Sequence, residues 1–233
     1  MGITVEFQSG AVEYPGLAAL VQAIYDSLLV DLKLASLRPH DPVVVYDTPY
    51  PWQLLGSGNY AAVFAHPDYP QQVVKVYAPG RPGWQQEVEV YRRLGDHPAF
   101  SACFYAAPHF LVLKRLCGVT LYDCLLQGLS IPEPVILDID NALAFARQRG
   151  LFPHDVHGRN VMMWQGQGLV VDISDFLNPE PCHAWDDVKR GYYWLYRPLL
   201  LGHSMRIPAL VLDQVRALYR CYRACKKLLP GNF

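Results

Sequence analysis

A polar loop between two apolar segments constrains the fold more than any other feature of this sequence. The loop follows a helix-like stretch that stops at Gly150, and it precedes an apolar hairpin that begins at Val161. Within it, Asp155 and Asn160 lie five residues apart. Such an acid can accept or orient a hydroxyl proton, and an amide oxygen suits Mg²⁺, which prefers hard oxygen ligands. The alternative is that both side chains only cap turns of the backbone.

A second acid follows the hairpin. Asp172 ends the apolar strand that starts at Leu169, twelve residues after Asn160. We predict Asn160 and Asp172 as a pair of Mg²⁺ ligands, because a carboxylate beside an amide oxygen makes a suitable partial ligand set. Asp175 is the alternative second ligand, and a carboxylate at a strand end can also cap the next turn.

A glycine-containing turn joins two strand-like segments earlier in the chain. Its backbone N–H groups can approach phosphate oxygens closely, because glycine has no side chain to intervene. Taken alone, a Gly-Ser-Gly turn is more often only a turn. The candidate phosphate-binding and nucleotide-binding positions in this region are Leu55, Gly56, Ser57, Gly58 and Val63.

A single lysine within an apolar strand needs a carboxylate partner if it is buried. Lys75 lies within the apolar segment 73–77, and Glu87 lies on the next predicted helix. We predict that Lys75 pairs with Glu87 and binds phosphate groups. Glu89 is the rival partner, although it lies about 200° further around the helix. The alternative is a lysine on an edge strand whose side chain points to solvent and has no functional role.

Composition excludes several classes of protein. The chain has 233 residues, 52% of them hydrophobic, with 20 Lys+Arg against 21 Asp+Glu. This balance predicts a globular protein without bulk attraction to nucleic acid or anionic lipid. The N-terminus resembles no ordinary signal peptide, and no apolar run is long enough to span a bilayer. We therefore expect a cytoplasmic protein. Export by a dedicated secretion apparatus, which needs no such signal, is the alternative. Cys182-His183 lacks a second ligand pair, so no zinc site is expected.

The hydrophobic spacing predicts strands with one helix, followed by helices with one hairpin. The expected helices cover residues 17–37, 84–94, 120–126, 135–149, 185–201 and 208–229. The expected strands cover 43–46, 52–64 as a glycine-interrupted pair, 73–77, 110–113, 161–164 and 169–171.

Over residues 52–201, the order of these motifs resembles that of the protein-kinase-like superfamily. The resemblance implies an α+β, bilobal fold, with a small antiparallel-sheet N-lobe that has one key helix and a reduced, mostly helical C-lobe. The expected division is an N-terminal helical extension packed on the N-lobe (1–51), the N-lobe (52–113) and the C-lobe (114–233).

The resemblance also implies roles for individual residues. Asp155 is similar to the catalytic base, Lys75 and Glu87 to the ion pair of the N-lobe, and Asn160 and Asp172 to the metal ligands. Residues 111–118 resemble the hinge, with Leu113 as gatekeeper and the backbone of Lys114 and Leu116 placed to bond adenine. The implied cofactors are ATP and Mg²⁺.

Several positions depart from the family pattern. Pro153-His154 replaces the His-Arg that precedes the catalytic Asp, and Ile173-Ser174 replaces the Phe-Gly that follows the metal ligand. The arginine that would bind activation-loop phosphate is therefore missing, so control by that route is not expected, and the segment after Asp172 is short. His157 resembles the corresponding residue of aminoglycoside phosphotransferases, lipopolysaccharide kinases and RIO-like kinases. The resemblance also implies that Asp186, five residues before Gly191, is a buried structural acid, with Asp187 as the alternative.

The sequence therefore predicts a minimal bacterial kinase that transfers a γ-phosphoryl group to a Ser or Thr of a protein substrate. It is expected to be a monomer that binds neither nucleic acid nor membrane. The first alternative is a small-molecule kinase of the aminoglycoside or sugar type, for which Asp123, Glu133 and Asp138 are scattered candidate contacts. The second is a pseudokinase that serves as a binding module.

Overall fold

Mixed strands and helices make up the computed structural model, which describes residues 5–6, 16–38 and 41–228. The strands, in chain order, are β1 (Val5–Glu6), β2 (Lys33–Ala35), β3 (Val44–Asp47), β4 (Gln53–Ser57), β5 (Ala61–Ala65), β6 (Gln72–Tyr77), β7 (Cys103–Ala107), β8 (Phe110–Lys114), β9 (Val119–Thr120), β10 (Val161–Trp164) and β11 (Gln167–Val170).

Helices concentrate in the second half of the chain. They are α1 (Leu17–Ala23), α2 (Leu29–Asp31), α3 (Trp84–Leu94), α4 (Leu121–Gln127), α5 (Glu133–Gln148), α6 (Ala184–Gly191), α7 (Arg197–Leu199) and α8 (Ala209–Leu228). Short π-helical segments, Ile24–Leu28 and Tyr192–Tyr196, join α1 to α2 and α6 to α7. In the described part of the chain, no helix has both the length and the apolar character needed to cross a bilayer.

A six-stranded antiparallel sheet, in the order β1-β7-β8-β6-β5-β4, forms the first half of the molecule. Successive side chains of a strand point to opposite faces, so each face of this sheet has its own core. Val73 and Tyr77 pack in the cluster that includes α3, whereas Val74 and Val76 pack in the cluster that includes α1. Lys75 alternates with Val74 and Val76, so it shares the α3 side of the sheet.

Helix α3 has the predicted boundaries, 84–94. Its buried positions are Glu87, Val90, Tyr91 and Leu94, which recur at three- and four-residue spacing and form one face. The helix stops at Gly95, whose φ of +67° suits a residue without a side chain. The packing of Val90 and Leu94 therefore turns Glu87 toward the sheet, while Glu89 lies on the outer side.

The first helical segment is shorter than predicted. Leu20, Ile24 and Leu28 are buried against the sheet, which gives this segment the packing expected of an amphipathic helix. The helix ends at Asp31 instead of continuing to residue 37, because residues 33–35 form β2 and pair with β3. Leu32 to Ala35 alternates well enough to fit a strand, and the β-branched Val44 and Val45 provide its partner.

The second half is organised around α5 and a three-stranded sheet, β11-β10-β9. Gly168 lies directly under α5, and a Cβ atom on it would fall 2.3 Å from the carbonyl oxygen of Val135. Its N–H donates to the carboxylate of Asp138 at 3.0 Å. The close approach of strand to helix thus depends on glycine at this position.

Strand β7 lies where no element was predicted. The segment around Cys103 is buried on both faces of the sheet, so apolar and polar residues do not alternate along it. The two-residue period by which a strand is recognised is therefore missing. Phe100, Cys103 and Phe104 are all buried, so this segment is part of the core.

Candidate active site

The N-terminal sheet and α3 together place a buried cation between two acids. Lys75 Nζ donates to both carboxylate oxygens of Glu87, at 2.9 and 2.7 Å, and lies 3.7 Å from Asp172 Oδ1. The hydroxyl group of Tyr77 also donates to Glu87. Glu89, the rival partner, instead forms ion pairs with Arg92 and Arg93 on the exposed side of α3.

Burial and charge act against each other in this cluster. Burial alone would lower the pKa of Lys75, but the negative charges of Asp172 and Glu87 outweigh it and raise that pKa. Burial raises the pKa of Glu87 in spite of the neighbouring Lys75. The pKa of Asp172 is lowered, because the attraction of Lys75 and the bond from Ser174 overcome the effect of burial. Lys75 and Asp172 are therefore both charged at neutral pH.

A backbone hydrogen bond ties the polar loop to the segment after β11 that carries Asp172. The N–H of Val171 donates to the carbonyl oxygen of Asn160 at 3.0 Å. This bond brings the residue immediately before Asp172 against Asn160, although Asp172 is twelve positions after Asn160 in the chain. Asp172 keeps 42% of its side-chain surface exposed, so the carboxylate is accessible to solvent.

Asp155 has its backbone held by two side chains. The amide of Asn160 donates to the Asp155 carbonyl oxygen at 3.0 Å, and the Asp155 N–H donates to Cys182 Sγ at 3.3 Å. The φ of Asp155 is +52°, a left-handed conformation that Asp tolerates better than most residues. Its side chain is 54% exposed, with His157 Nε2 at 3.7 Å.

The glycine-containing turn lies at the end of the exposed strand β4. Gly58 N–H donates to the carbonyl oxygen of Ala61 at 2.9 Å and closes the turn between β4 and β5. A Cβ atom on Gly56 would meet nothing within 4 Å, so the fold itself does not require glycine there. Leu55 is 47% exposed, and Val63 pairs with Lys75 across the sheet. Val63 therefore neighbours Lys75 in the sheet, and the turn that contains Gly56 has room for a ligand.

The hinge prediction needs a correction at Lys114. Its backbone N–H donates to the carbonyl oxygen of Ala102 at 2.8 Å, and its carbonyl oxygen accepts from Ser101 Oγ at 2.7 Å. The Lys114 amide is thus used inside the fold and cannot donate to a base, while its carbonyl oxygen has one remaining lone pair. For Leu116, the described chain provides no backbone hydrogen-bond partner, so both of its groups can take part in recognition.

Two residues near the site were missed or misjudged by sequence reasoning. Cys182 contacts Asp155 although the two are 27 residues apart in the chain, and no local sequence pattern predicts such a contact. Asp186 was expected to be buried, but half of its side chain is exposed, and it lies 3.5 Å from His183 and 3.8 Å from Lys189. The helical register of α6 turns Trp185 inward and leaves its neighbour at the surface.

The donor chemistry of Asn160 and Asp172 fits a magnesium ion. The side-chain nitrogen of Asn160 is engaged with Asp155, which leaves its side-chain oxygen as the atom that can coordinate. Asp172 is a carboxylate with a lowered pKa. Mg²⁺ is usually held by one or two protein ligands of this kind, together with water and substrate phosphates.

Comparison with known proteins is consistent with this arrangement. No protein-family model matches the chain. Over 170 residues, or 72% of the chain, it is 29% identical to a Bacillus subtilis (strain 168) protein named "Putative serine/threonine-protein kinase YrzF", and it spans 78% of that protein. The predicted α+β class, with an antiparallel sheet in the first half of the chain, is confirmed. The similarity to this relative, whose name is that of a kinase, confirms the resemblance as a resemblance.

Two solved structures are also similar to the chain. The kinase domain of PknI from Mycobacterium tuberculosis is 23% identical, with a TM-score of 0.42 over 64% of this chain and 62% of that one. Rad53 1–466, solved in complex with AMP-PNP, is 16% identical, with a TM-score of 0.45 over 66% of this chain and 42% of that one. The chain therefore spans less than two thirds of either structure.

Proposed function

We propose that the chain is an ATP- and Mg²⁺-dependent phosphotransferase that moves the γ-phosphoryl group to a Ser or Thr hydroxyl of a protein. The observation that carries the proposal is the position of Lys75, bonded to Glu87 and 3.7 Å from Asp172. A lysine held by one acid and facing a second can bind phosphate beside a cation. The name of the B. subtilis relative supports the same activity.

In this proposal, each residue acts through position and charge. Lys75 binds the α- and β-phosphates, and Glu87 fixes the direction of its ammonium group. The backbone N–H groups near Gly56 and Ser57 cover the phosphates, with Leu55 and Val63 against the base. The Leu116 backbone and the Lys114 carbonyl oxygen bond adenine. Asp155 orients the acceptor hydroxyl and takes its proton at a carboxylate oxygen.

Asn160 and Asp172 would hold the metal ion. When bound, Mg²⁺ neutralises charge on the phosphate oxygens and aligns the group that is transferred. Lys75 limits the local negative charge of the cleft, because it offsets Glu87 and Asp172 before any nucleotide phosphate enters.

Protein is favoured over a small aminosugar as the acceptor. The three acids that were candidates for an aminosugar pocket each have a partner inside the fold. Asp123 accepts from the hydroxyl of Thr120, Glu133 pairs with Arg197, and Asp138 accepts from Gly168. Carboxylates engaged in this way are poorly suited to bind a cationic sugar. The division at residues 51 and 113, and a monomeric state without nucleic acid, remain part of the proposal.

Label transfer from γ-labelled ATP with Mg²⁺ tests the proposal, with a general protein acceptor and a small-molecule extract in parallel. Asp155→Asn is the matched variant, because Asn removes the base but tolerates the left-handed backbone at this residue. Asp68→Asn, at an 81% exposed position between β5 and β6, controls for the loss of a carboxylate.

Label on protein that disappears in Asp155→Asn and persists in Asp68→Asn is the expected result. Label confined to small molecules would move the acceptor to that class. Nucleotide binding without transfer to either fraction would overturn the enzymatic proposal in favour of a pseudokinase.

A further inference from the structure

The last helix, α8, leaves an apolar stripe uncovered. Val211, Val215 and Leu218 recur at four- and three-residue spacing, so they lie on one side of the helix. Their exposed fractions are 44%, 58% and 71%. Packing against the body would be expected to bury such a stripe, but among residues 209–218 only Leu212 is partly buried.

The same helix concentrates positive charge. Its twenty residues contain five of the chain's 20 Lys+Arg but only one of its 21 Asp+Glu. Among these cations, Arg216 lies on the side of α8 away from the middle of the stripe, because each residue advances about 100° around a helix. The near-neutral charge of the whole chain conceals this asymmetry, because the rest of the molecule carries an excess of acids.

The start of α8 is attached to the body of the molecule. Ile207 N–H donates to the carbonyl oxygen of Leu125 at 3.0 Å. Asp213 lies 3.9 Å from Arg159, whose guanidinium group stacks 3.6 Å from the ring centre of Tyr122. Arg159 immediately precedes Asn160, so the helix begins beside the polar loop of the site. The stripe is therefore exposed on an anchored helix.

We propose that α8 binds the surface of a membrane that contains anionic lipid. A helix with an apolar stripe and a basic polar face lies in the interface, with the stripe among the acyl chains and its cations toward the headgroups. A second copy of the chain fits less well, because two helices with this charge would repel each other. The proposal concerns the helix alone and does not depend on phosphotransfer.

Co-sedimentation of the full chain with vesicles tests the proposal. The vesicles contain phosphatidylcholine alone, or phosphatidylcholine with about 30% phosphatidylserine, a content that gives a negative surface potential. Val215→Glu combined with Leu218→Glu removes the apolar stripe. Leu37→Glu combined with Tyr50→Glu is the matched control, because it adds the same charge at two exposed apolar side chains elsewhere.

The expected result is binding that rises about tenfold with phosphatidylserine and falls with salt. The stripe variant loses this binding and the control variant keeps it, with equal circular dichroism for all three proteins. If the stripe variant does not fold, Arg216→Glu takes its place, and its binding to anionic vesicles is expected to fall about threefold or more.

Equal binding to both vesicle types, or no binding, would overturn the proposal. A dimer in sedimentation velocity that the stripe variant converts to a monomer would assign the stripe to a second copy instead. If the stripe variant binds vesicles as well as the parent does, α8 is not the membrane contact.

Discussion

Cys182 Sγ accepts a hydrogen bond from the backbone nitrogen of Asp155 at 3.3 Å. With the bond from Asn160 to the Asp155 carbonyl oxygen, both backbone groups of Asp155 are held by side chains. A non-glycine residue with φ near +50° is uncommon and persists when its surroundings hold it there. Cys182 therefore acts on the proposed base through its backbone and not through its carboxylate.

This contact predicts that Cys182→Ala lowers kcat about tenfold, equivalent to about 1.4 kcal/mol, and leaves the KM for ATP unchanged. The Asp155 amide should also exchange faster with solvent, which NMR hydrogen exchange can measure without any enzymatic assay. Cys182→Ser keeps an acceptor at this position and should retain most of the activity.

Cys117→Ala is the matched control for this prediction, because Cys117 is exposed and has no bond to Asp155. If Cys182→Ala has the same turnover and the same Asp155 exchange rate as the parent, then Cys182 is only a neighbour of the site.

Glu87→Gln should lower both stability and nucleotide affinity. Glu87 is buried, and its loss as an anion leaves the buried Lys75 with Asp172 alone, which we expect to lower the free energy of unfolding by about 3 kcal/mol. Glu89→Gln should do neither, since Glu89 pairs with surface arginines. Urea unfolding and nucleotide titration of the two variants measure the difference, and equal effects would refute the assignment of Glu87.

Glycine is required at residue 168 for folding, but at residue 56 only for the proposed ligand. Gly168→Ala places a Cβ atom against the backbone of Val135 and should lower the free energy of unfolding by about 3 kcal/mol. Gly56→Ala meets no neighbour, so stability should be unchanged while ATP affinity falls. Unfolding curves and ATP titrations of the two variants provide the check. Unchanged ATP affinity in Gly56→Ala would argue that phosphates do not approach this turn.

The charge of Lys75 predicts a dependence of stability on alkaline pH. Because the folded-state pKa of Lys75 lies above its ordinary value of 10.5, its charge stabilises the fold fully below pH 10.5, and this contribution is lost as the pH rises further. The stability difference between the parent and Lys75→Met should therefore stay constant from about pH 7 to about pH 9 and shrink above pH 10.5. A difference that is already falling at pH 8 would contradict the raised pKa.

The sequence predicted correctly those helices and strands whose buried face and end residues can be recognised within their own segment. Helix α3 has a buried face at regular spacing and a glycine stop, and strand β10 ends at a turn that contains Gly166, so both have the predicted boundaries. The same face explains why Glu87 and not Glu89 turns toward Lys75. The first helix was predicted too long, because residues 32–35 fit a helix and a strand about equally, and pairing with β3 decides between them.

Contacts between distant segments could not be predicted from the sequence. The bond from Lys114 N–H to Ala102 and the contact of Cys182 with Asp155 both depend on how the chain returns on itself. The exposure of Asp186 depends on the rotation of α6, which the spacing to Gly191 does not fix. Such contacts depend on how distant segments pack against each other, so the spacing of residues in the sequence cannot decide which of several possible contacts forms.

The ion pair between Lys75 and Glu87 joins two elements of one compact layer, and only eleven residues separate Asp172 from the start of α6. The charged groups of the candidate site are therefore in place as soon as the chain has folded. Any phosphate group that enters meets an ammonium group whose direction is already set by Glu87.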